Sequence, residues 1–244
     1  MSTTQELLWR IPTVSVSASQ VEHLTQTLEQ RLRHIAKTHQ DARLSTSLAA
    51  EDMVLTDALS RVAPQIHLFT LATGRLHQQT TDMVQTVQDH YGLRIQQVAP
   101  DALAVAQMVS THGLDGFYES ETARQACCQV RKVLPLEQAL RGASAWVTGM
   151  RREQSVTRAQ VEFEAFDERH QLVKFNPIYD WHEDEVWAYI AHHGVPIHPL
   201  HHKGYPSIGC EPCTRQVKKG EDIRAGRWWW LQSDSKECGL HVNK

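Results

Sequence analysis

Arg43-Leu44-Ser45-Thr46-Ser47, continued by Leu48-Ala49-Ala50-Glu51-Asp52 and closed, after a helical stretch over residues 51–62, by Ile66-His67-Leu68-Phe69-Thr70, is the segment that decides the fold. Its ends are short β-type runs and its middle repeats apolar residues at helical spacing, so it reads strand, helix, strand. The same alternation holds outward from it. Upstream, Ser19 and Glu22 form a capping box before Val21, Leu24, Leu28, Leu32 and Ile35, which predicts a first helix, and residues 1–17 read as an arm. Downstream, a helix through Met83, Val84, Val87 and Tyr91 leads to a strand over Leu93–Val98 and a helix near residues 101–110. A strand at Ala145–Thr148 and a helix from Asp180 to Gly194, acidic in its first turn, follow. The pattern predicts an α/β fold: a mostly parallel sheet with helices on both faces and right-handed crossovers. Beyond Gly194 the periodicity gives way to loops and short helices.

At 244 residues one α/β domain is the expected size. With 22% charged residues and a formal net charge of −3, no basic excess points to nucleic acid or a membrane surface, so any anionic ligand must meet a local cluster of Arg and Lys. The first residues lack the order of a signal peptide and no apolar run approaches a membrane span, which predicts a cytosolic protein. Thiols stay reduced there, so the 5 cysteines argue for metal binding and catalysis over disulfides. They divide as four plus one. Cys127-Cys128 and the pair Cys210 and Cys213 suit a closed tetrahedral metal site or an iron–sulfur cluster, with zinc and iron both open on chemistry alone, and Cys238 is left as a nucleophile or redox thiol.

In open α/β sheets ligands bind beyond the carboxyl ends of the strands. Ser45 to Asp52 offers hydroxyls and small residues before a helix, where backbone N–H groups favour an anion, although it lacks a Walker loop. Thr73-Gly74-Arg75 and Thr148-Gly149-Met150-Arg151-Arg152 repeat glycine followed by guanidinium. Three such loops on one sheet edge predict a phosphate pocket. The histidines at 192, 193, 198, 201 and 202 are not read as a second metal site.

Ala50-Glu51-Asp52-Met53, Thr73-Gly74-Arg75-Leu76, Cys127-Cys128-Gln129-Val130-Arg131-Lys132, Arg151-Arg152-Glu153-Gln154-Ser155, Cys210-Glu211-Pro212-Cys213 and Lys236-Glu237-Cys238-Gly239-Leu240-His241 together resemble assimilatory adenylyl-sulfate reductases, relatives of the phosphoadenylyl-sulfate reductases, from about residue 40 to the end. Ala49, Ala72 and Gln79 depart from the usual family residues. The resemblance implies an adenine-nucleotide α-hydrolase-like fold, a nucleotide-binding reductase domain over residues 18–215, and a mobile segment over 216–244 carrying the catalytic cysteine. It implies a [4Fe–4S] cluster on Cys127, Cys128, Cys210 and Cys213, with Cys238 as nucleophile and His241 tuning it. Ser45, Ser47, Arg75, Lys132, Arg151, Arg224 and Arg227 would bind substrate, Lys132 linking the charge of the cluster to that of the substrate. The implied reaction takes adenosine 5′-phosphosulfate to sulfite and AMP in sulfate assimilation and cysteine biosynthesis, through an S-sulfocysteine discharged by thioredoxin or a glutaredoxin-like dithiol protein. A homo-oligomer is compatible with the sequence. The rival readings are a reductase of the 3′-phosphorylated nucleotide, an ATP-dependent sulfur-transfer enzyme of the same fold, and a non-catalytic redox sensor.

Overall fold

The computed structural model describes residues 7–231. Helix α1 (Ala18–Thr38) is capped by Ser17, whose hydroxyl accepts the Gln20 N–H at 3.2 Å, so the helix starts earlier than the Ser19 box predicts and Ser19 lies in its first turn. Strand β1 (Ala42–Ser45) leads through a loop to α2 (Ala50–Val62), and β2 (His67–Leu71) to α3 (Gln78–Tyr91), which ends on left-handed Gly92. Next come β3 (Ile95–Val98) and α4 (Ala102–His112), capped by Asp101. The sequence pattern gave no helix over residues 121–140, where the chain forms α5 (Glu121–Cys128), a π turn (Gln129–Val133) and α6 (Leu134–Leu140). After β4 (Ala145–Val147) an unforeseen antiparallel hairpin, β5 (Glu164–Asp167) with β6 (Leu172–Phe175), precedes α7 (Glu183–His193).

The six strands lie in the order β3-β2-β1-β4-β6-β5, with every neighbouring pair parallel except β5 and β6. Successive side chains leave a strand on opposite faces, and the two cores follow that alternation. Leu68, Ala145, Val147 and Phe175 face a core shared with α1, α2, α3 and α7, whereas Phe69, Trp146 and Leu172 face a second core closed by Leu136, Ala139 and Leu140 of α6. From β1 the chain steps outward to β2 and β3, then returns to place β4 on the other side of β1. The crevice therefore opens beyond the carboxyl ends of β1 and β4.

The amino-terminal segment packs Trp9, Ile11 and Val14 on the first core. It also pairs with residues near the described end of the chain, Trp9 N donating to the Val217 carbonyl at 2.8 Å and Lys219 N to that of Leu7 at 2.7 Å. Among the described residues no helix is long and apolar enough to cross a membrane.

Two buried histidines make the fold acid-sensitive. His198 Nδ1 accepts the Leu200 N–H at 3.2 Å, which leaves Nε2 to donate to Thr80 Oγ1 at 2.9 Å, so an added proton on Nδ1 would face another donor. His201 places Nδ1 on the Tyr205 carbonyl at 2.8 Å and buries Nε2 with no partner among the described residues. Burial first, and for His198 the neighbouring His201, hold the two side chains down to about 3 and about 4. Their folded pKa values lie below the unfolded one near 6.5, so the unfolded chain binds protons that the folded chain refuses as pH falls below that value. Each then removes about 1.4 kcal/mol of stability per pH unit until its folded pKa is reached. Thermal melts between pH 6.5 and 4.5 are expected to show a steep fall in Tm, with a clearly shallower slope in H201L; an unchanged slope in that variant contradicts the assignment.

Candidate active site

The β1 loop turns sharply at Leu48, which adopts a left-handed φ of 62°. Its amide donates to Thr46 Oγ1 at 3.0 Å, while the amide and hydroxyl of Ser47 both donate to Asp52 Oδ2 at 2.6 Å. Asp52, in the first turn of α2, is buried, and burial raises its carboxyl to about 6 against the lowering effect of the two Ser47 donors. Gly149, just after β4, lies against the same carboxylate: a Cβ there would overlap Asp52 Oδ1 and come 3.1 Å from the Glu51 Cβ. The β1 and β4 loops are thus fastened together across the crevice. Gly149→Ala is expected to force them apart at a cost of about 1–3 kcal/mol, read as a lower Tm in thermal melts; an unchanged Tm would show that the fit is not needed.

Beyond these loops lies a cavity of about 250 Å3, bordered by Ser45, Ser47, Lys132, Arg158, Arg224 and Arg227 among others. It is mixed in character, with Phe69, Leu71, Leu136 and Trp146 forming an apolar part. Ser45 accepts the Trp146 indole N–H at 2.8 Å. Arg227 is buried and donates to the Ile208 carbonyl at 3.3 Å, its guanidinium 4.6 Å from the Trp228 ring centroid. Gly209 makes this possible, because a Cβ at that position would overlap the guanidinium.

Of the seven residues implied to bind substrate, Ser45, Ser47, Lys132, Arg224 and Arg227 border this cleft and Arg75 and Arg151 do not. Arg151, 2% exposed, donates through Nη2 and Nε to Glu51 Oε1 at 2.8 and 3.1 Å and through Nη1 to the Trp181 carbonyl at 3.1 Å. Burial alone would raise Glu51, but Arg151 and Gln154 hold it below the usual carboxylate range. Arg75 pairs with Asp115 at 2.6 Å and lies 5.5 Å from the Phe117 ring centroid. Sequence reasoning missed Arg158, Gln154, Asp52 and Trp228 at the cleft. Asp52 carried a usable signal, an acid in the first turn of a helix just after a hydroxyl-rich loop.

Arg75 instead borders a second, small cavity of about 20 Å3, together with Cys127, Cys128, Cys210, Cys213 and Arg131. All four thiols are free. Cys127 and Cys128 come from the end of α5, and Cys210 and Cys213 bracket a single 3-10 turn in which the Cys213 amide donates to the Cys210 carbonyl at 3.0 Å. That turn is tied to the β2 loop by the Glu211 amide on the Arg75 carbonyl at 2.8 Å and by Thr73 Oγ1, 3.3 Å from Cys210 Sγ. Burial, then Cys210, pushes the Cys213 thiol up to about 12, and burial likewise raises Cys127. Arg131, anchored on the Thr73 carbonyl at 2.7 Å, supplies buried positive charge beside them. Among the described residues no three His, Cys, Asp or Glu side chains are set to hold a single metal ion. Lys132 and Cys210 border both the cleft and the cysteine cavity. Cys238 and His241 lie outside the described residues.

Comparison with known proteins places this geometry in context. Residues 41–216 match the family described as phosphoadenosine phosphosulfate reductase domain. An adenosine 5′-phosphosulfate reductase of Allochromatium vinosum is 58% identical over 197 residues, covering 81% of this chain and 77% of that protein. One from Neisseria meningitidis is 49% identical over 239 residues, covering 96% and 97%. The crystal structure of phosphoadenylyl-sulfate reductase from Candida auris, a phosphate complex, superposes with a TM-score of 0.67 at 26% identity, covering 84% of this chain and 100% of that one.

Proposed function

This chain belongs to the phosphoadenosine phosphosulfate reductase family, and from that premise we propose that it is the oxidoreductase of sulfate assimilation that reduces adenosine 5′-phosphosulfate to sulfite and AMP, with a dithiol protein as electron donor. One observation carries the reading furthest: the anion-suited cleft and the four-cysteine cavity share a wall at Lys132 and Cys210.

The crevice between the β1 and β4 loops takes the nucleotide, with Arg224 and Arg227 meeting its phosphosulfate. The Cys238 thiolate attacks the sulfur of the substrate, forming an S–S bond as the S–O bond to the phosphate breaks, and that electron pair leaves on AMP. The two arginines oppose the negative charge gathering on the departing phosphate. A thiolate of the donor then attacks Cys238 Sγ and sulfite leaves. The second donor thiol resolves the mixed disulfide, so the two electrons come from converting a dithiol to a disulfide. Thioredoxin, or a glutaredoxin-like protein, has this chemistry.

Cys127, Cys128, Cys210 and Cys213 would hold a [4Fe–4S] cluster. Their soft donors surround one cavity from two sides, one thiolate is available for each iron, and Arg131 and Lys132 offset the anionic charge of the thiolates. What such a group supplies when bound is a fixed charge beside Lys132 and a link between α5 and the loop at 210–213. His241, close to Cys238 in sequence, would orient the thiolate.

Turnover of adenosine 5′-phosphosulfate and of its 3′-phosphorylated relative should be compared on protein purified without oxygen and supplied with reduced thioredoxin. The expected result is equal yields of sulfite and AMP and a preference for the unphosphorylated nucleotide of at least about tenfold. Sulfite from neither substrate, or preference for the 3′-phosphate, overturns the assignment.

A further inference from the structure

Trp228 stands out in the wall of the cleft. It is 1% exposed, lines the cleft, and packs with Cys210, Cys213 and Phe117. Its φ is 42°, a left-handed conformation that a bulky side chain adopts only when its surroundings impose it, and such strain gathers at functional positions. Here the constraint is visible on both sides of the residue. Its amide donates to the Cys213 carbonyl at 3.1 Å and its carbonyl accepts the Leu231 N–H at 2.8 Å, which fixes the backbone to the cysteine turn. The ring so placed meets three cations: the guanidinium of Arg227 at 4.6 Å from its centroid, that of Arg124 at 5.9 Å and the ammonium of Lys132 at 6.0 Å. Tryptophan has the strongest π face for a cation, and burial of the pair strengthens the attraction. The indole N–H has no hydrogen-bond partner among the described residues, so the contact with the cations is made by the face of the ring.

We propose that Trp228 is a positioning residue that fixes the Arg227 guanidinium at the anion end of the cleft by presenting its indole face, so that the cysteine turn and the substrate arginine share one rigid mount. The inference rests on the function proposed above and adds a residue to it. Arg227 is also held on the cleft wall by the Ile208 carbonyl at 3.3 Å and by Ser207 at 3.4 Å, and the indole ring lies against its guanidinium.

The test is a comparison of KM for adenosine 5′-phosphosulfate in W228F, W228L, R227Q and the double variant R227Q with W228L. Phenylalanine keeps a π face and leucine keeps only bulk. W228F should stay within about threefold of wild type and W228L should raise KM about tenfold, while in the R227Q background the leucine change should add less than about twofold, because the group it positions is gone. Equal damage from phenylalanine and leucine, or full additivity with R227Q, overturns the proposal. Site-specific incorporation of mono-, di- and trifluorotryptophan at position 228 weakens the π face without altering bulk and so reads the same contact in a protein that folds: KM should rise stepwise with fluorination, and a flat series refutes it. A wild-type protein that turns over the nucleotide alongside a flat series sinks this inference alone, whereas a wild-type protein without turnover sinks the function with it.

Discussion

Replacing Cys238 with serine is expected to abolish sulfite release and to leave the iron and sulfide content at the wild-type level. The reason is a division among the 5 cysteines. Four of them line one buried cavity beside the cleft, where the proposed cluster would engage them as ligands. Cys238 is the thiol that remains. A serine hydroxyl is far less ionised and a poorer nucleophile toward sulfur, and removal of a covalent nucleophile typically lowers turnover by about 10^4-fold or more. Stopped assays for sulfite and AMP, run beside iron and sulfide analysis, check both halves. Sulfite formation near the wild-type rate would place the chemistry on another group, and loss of iron would place Cys238 among the ligands.

Cys213→Ser is expected to do the reverse damage. It removes one of four soft donors, and a serine oxygen is a poor replacement toward iron bridged by sulfide. Metal affinity at a site formed by folding is also folding free energy, so the effect extends beyond the cofactor. The 210–213 turn is fastened to the β2 loop through Arg75 and Thr73 and to Trp228 through the Cys213 carbonyl, so loss of the link that a cluster would make to α5 would loosen the wall of the cleft as well. The expected outcome is an iron content of roughly half or less, a Tm lower by several degrees, and activity lost in proportion to iron. Full iron retention with unchanged Tm would show that Cys213 is not a ligand.

How much of this could be read from the sequence depended on whether the signal was local. The β1–α2–β2 unit was legible because its apolar period and its hydroxyl-rich loop lie within thirty residues, and the structure ends β1 at Ser45, with Ser47 in the loop bonded to Asp52. The β5–β6 hairpin was not legible. Each strand has four residues, and the turn between them, Glu168 to Gln171, lacks the Asn-Gly type of signal and is closed by Gln171 at a φ of 54°. The helical stretch over residues 121–140 was hidden for another reason: the π turn changes the period in its middle, just where Pro135 lacks the N–H that an α-helical turn would need. At the site, the four cysteines were readable as pairs, and the structure sets them around one cavity. Arg151 shows the limit. Its neighbours in sequence suggested an anion partner, but that partner is Glu51, one hundred residues away, and only the three-dimensional fold reveals that the charge is already committed.

The most direct test of the account is intact-protein and peptide mass spectrometry on protein purified without oxygen and mixed with adenosine 5′-phosphosulfate in the absence of any dithiol donor. The account predicts one sulfonate added per chain, located on Cys238, with AMP released in equal amount and the adduct discharged as sulfite when reduced thioredoxin is added. An unmodified Cys238 after AMP has been released, or a sulfonate on Cys127, Cys128, Cys210 or Cys213, would contradict it.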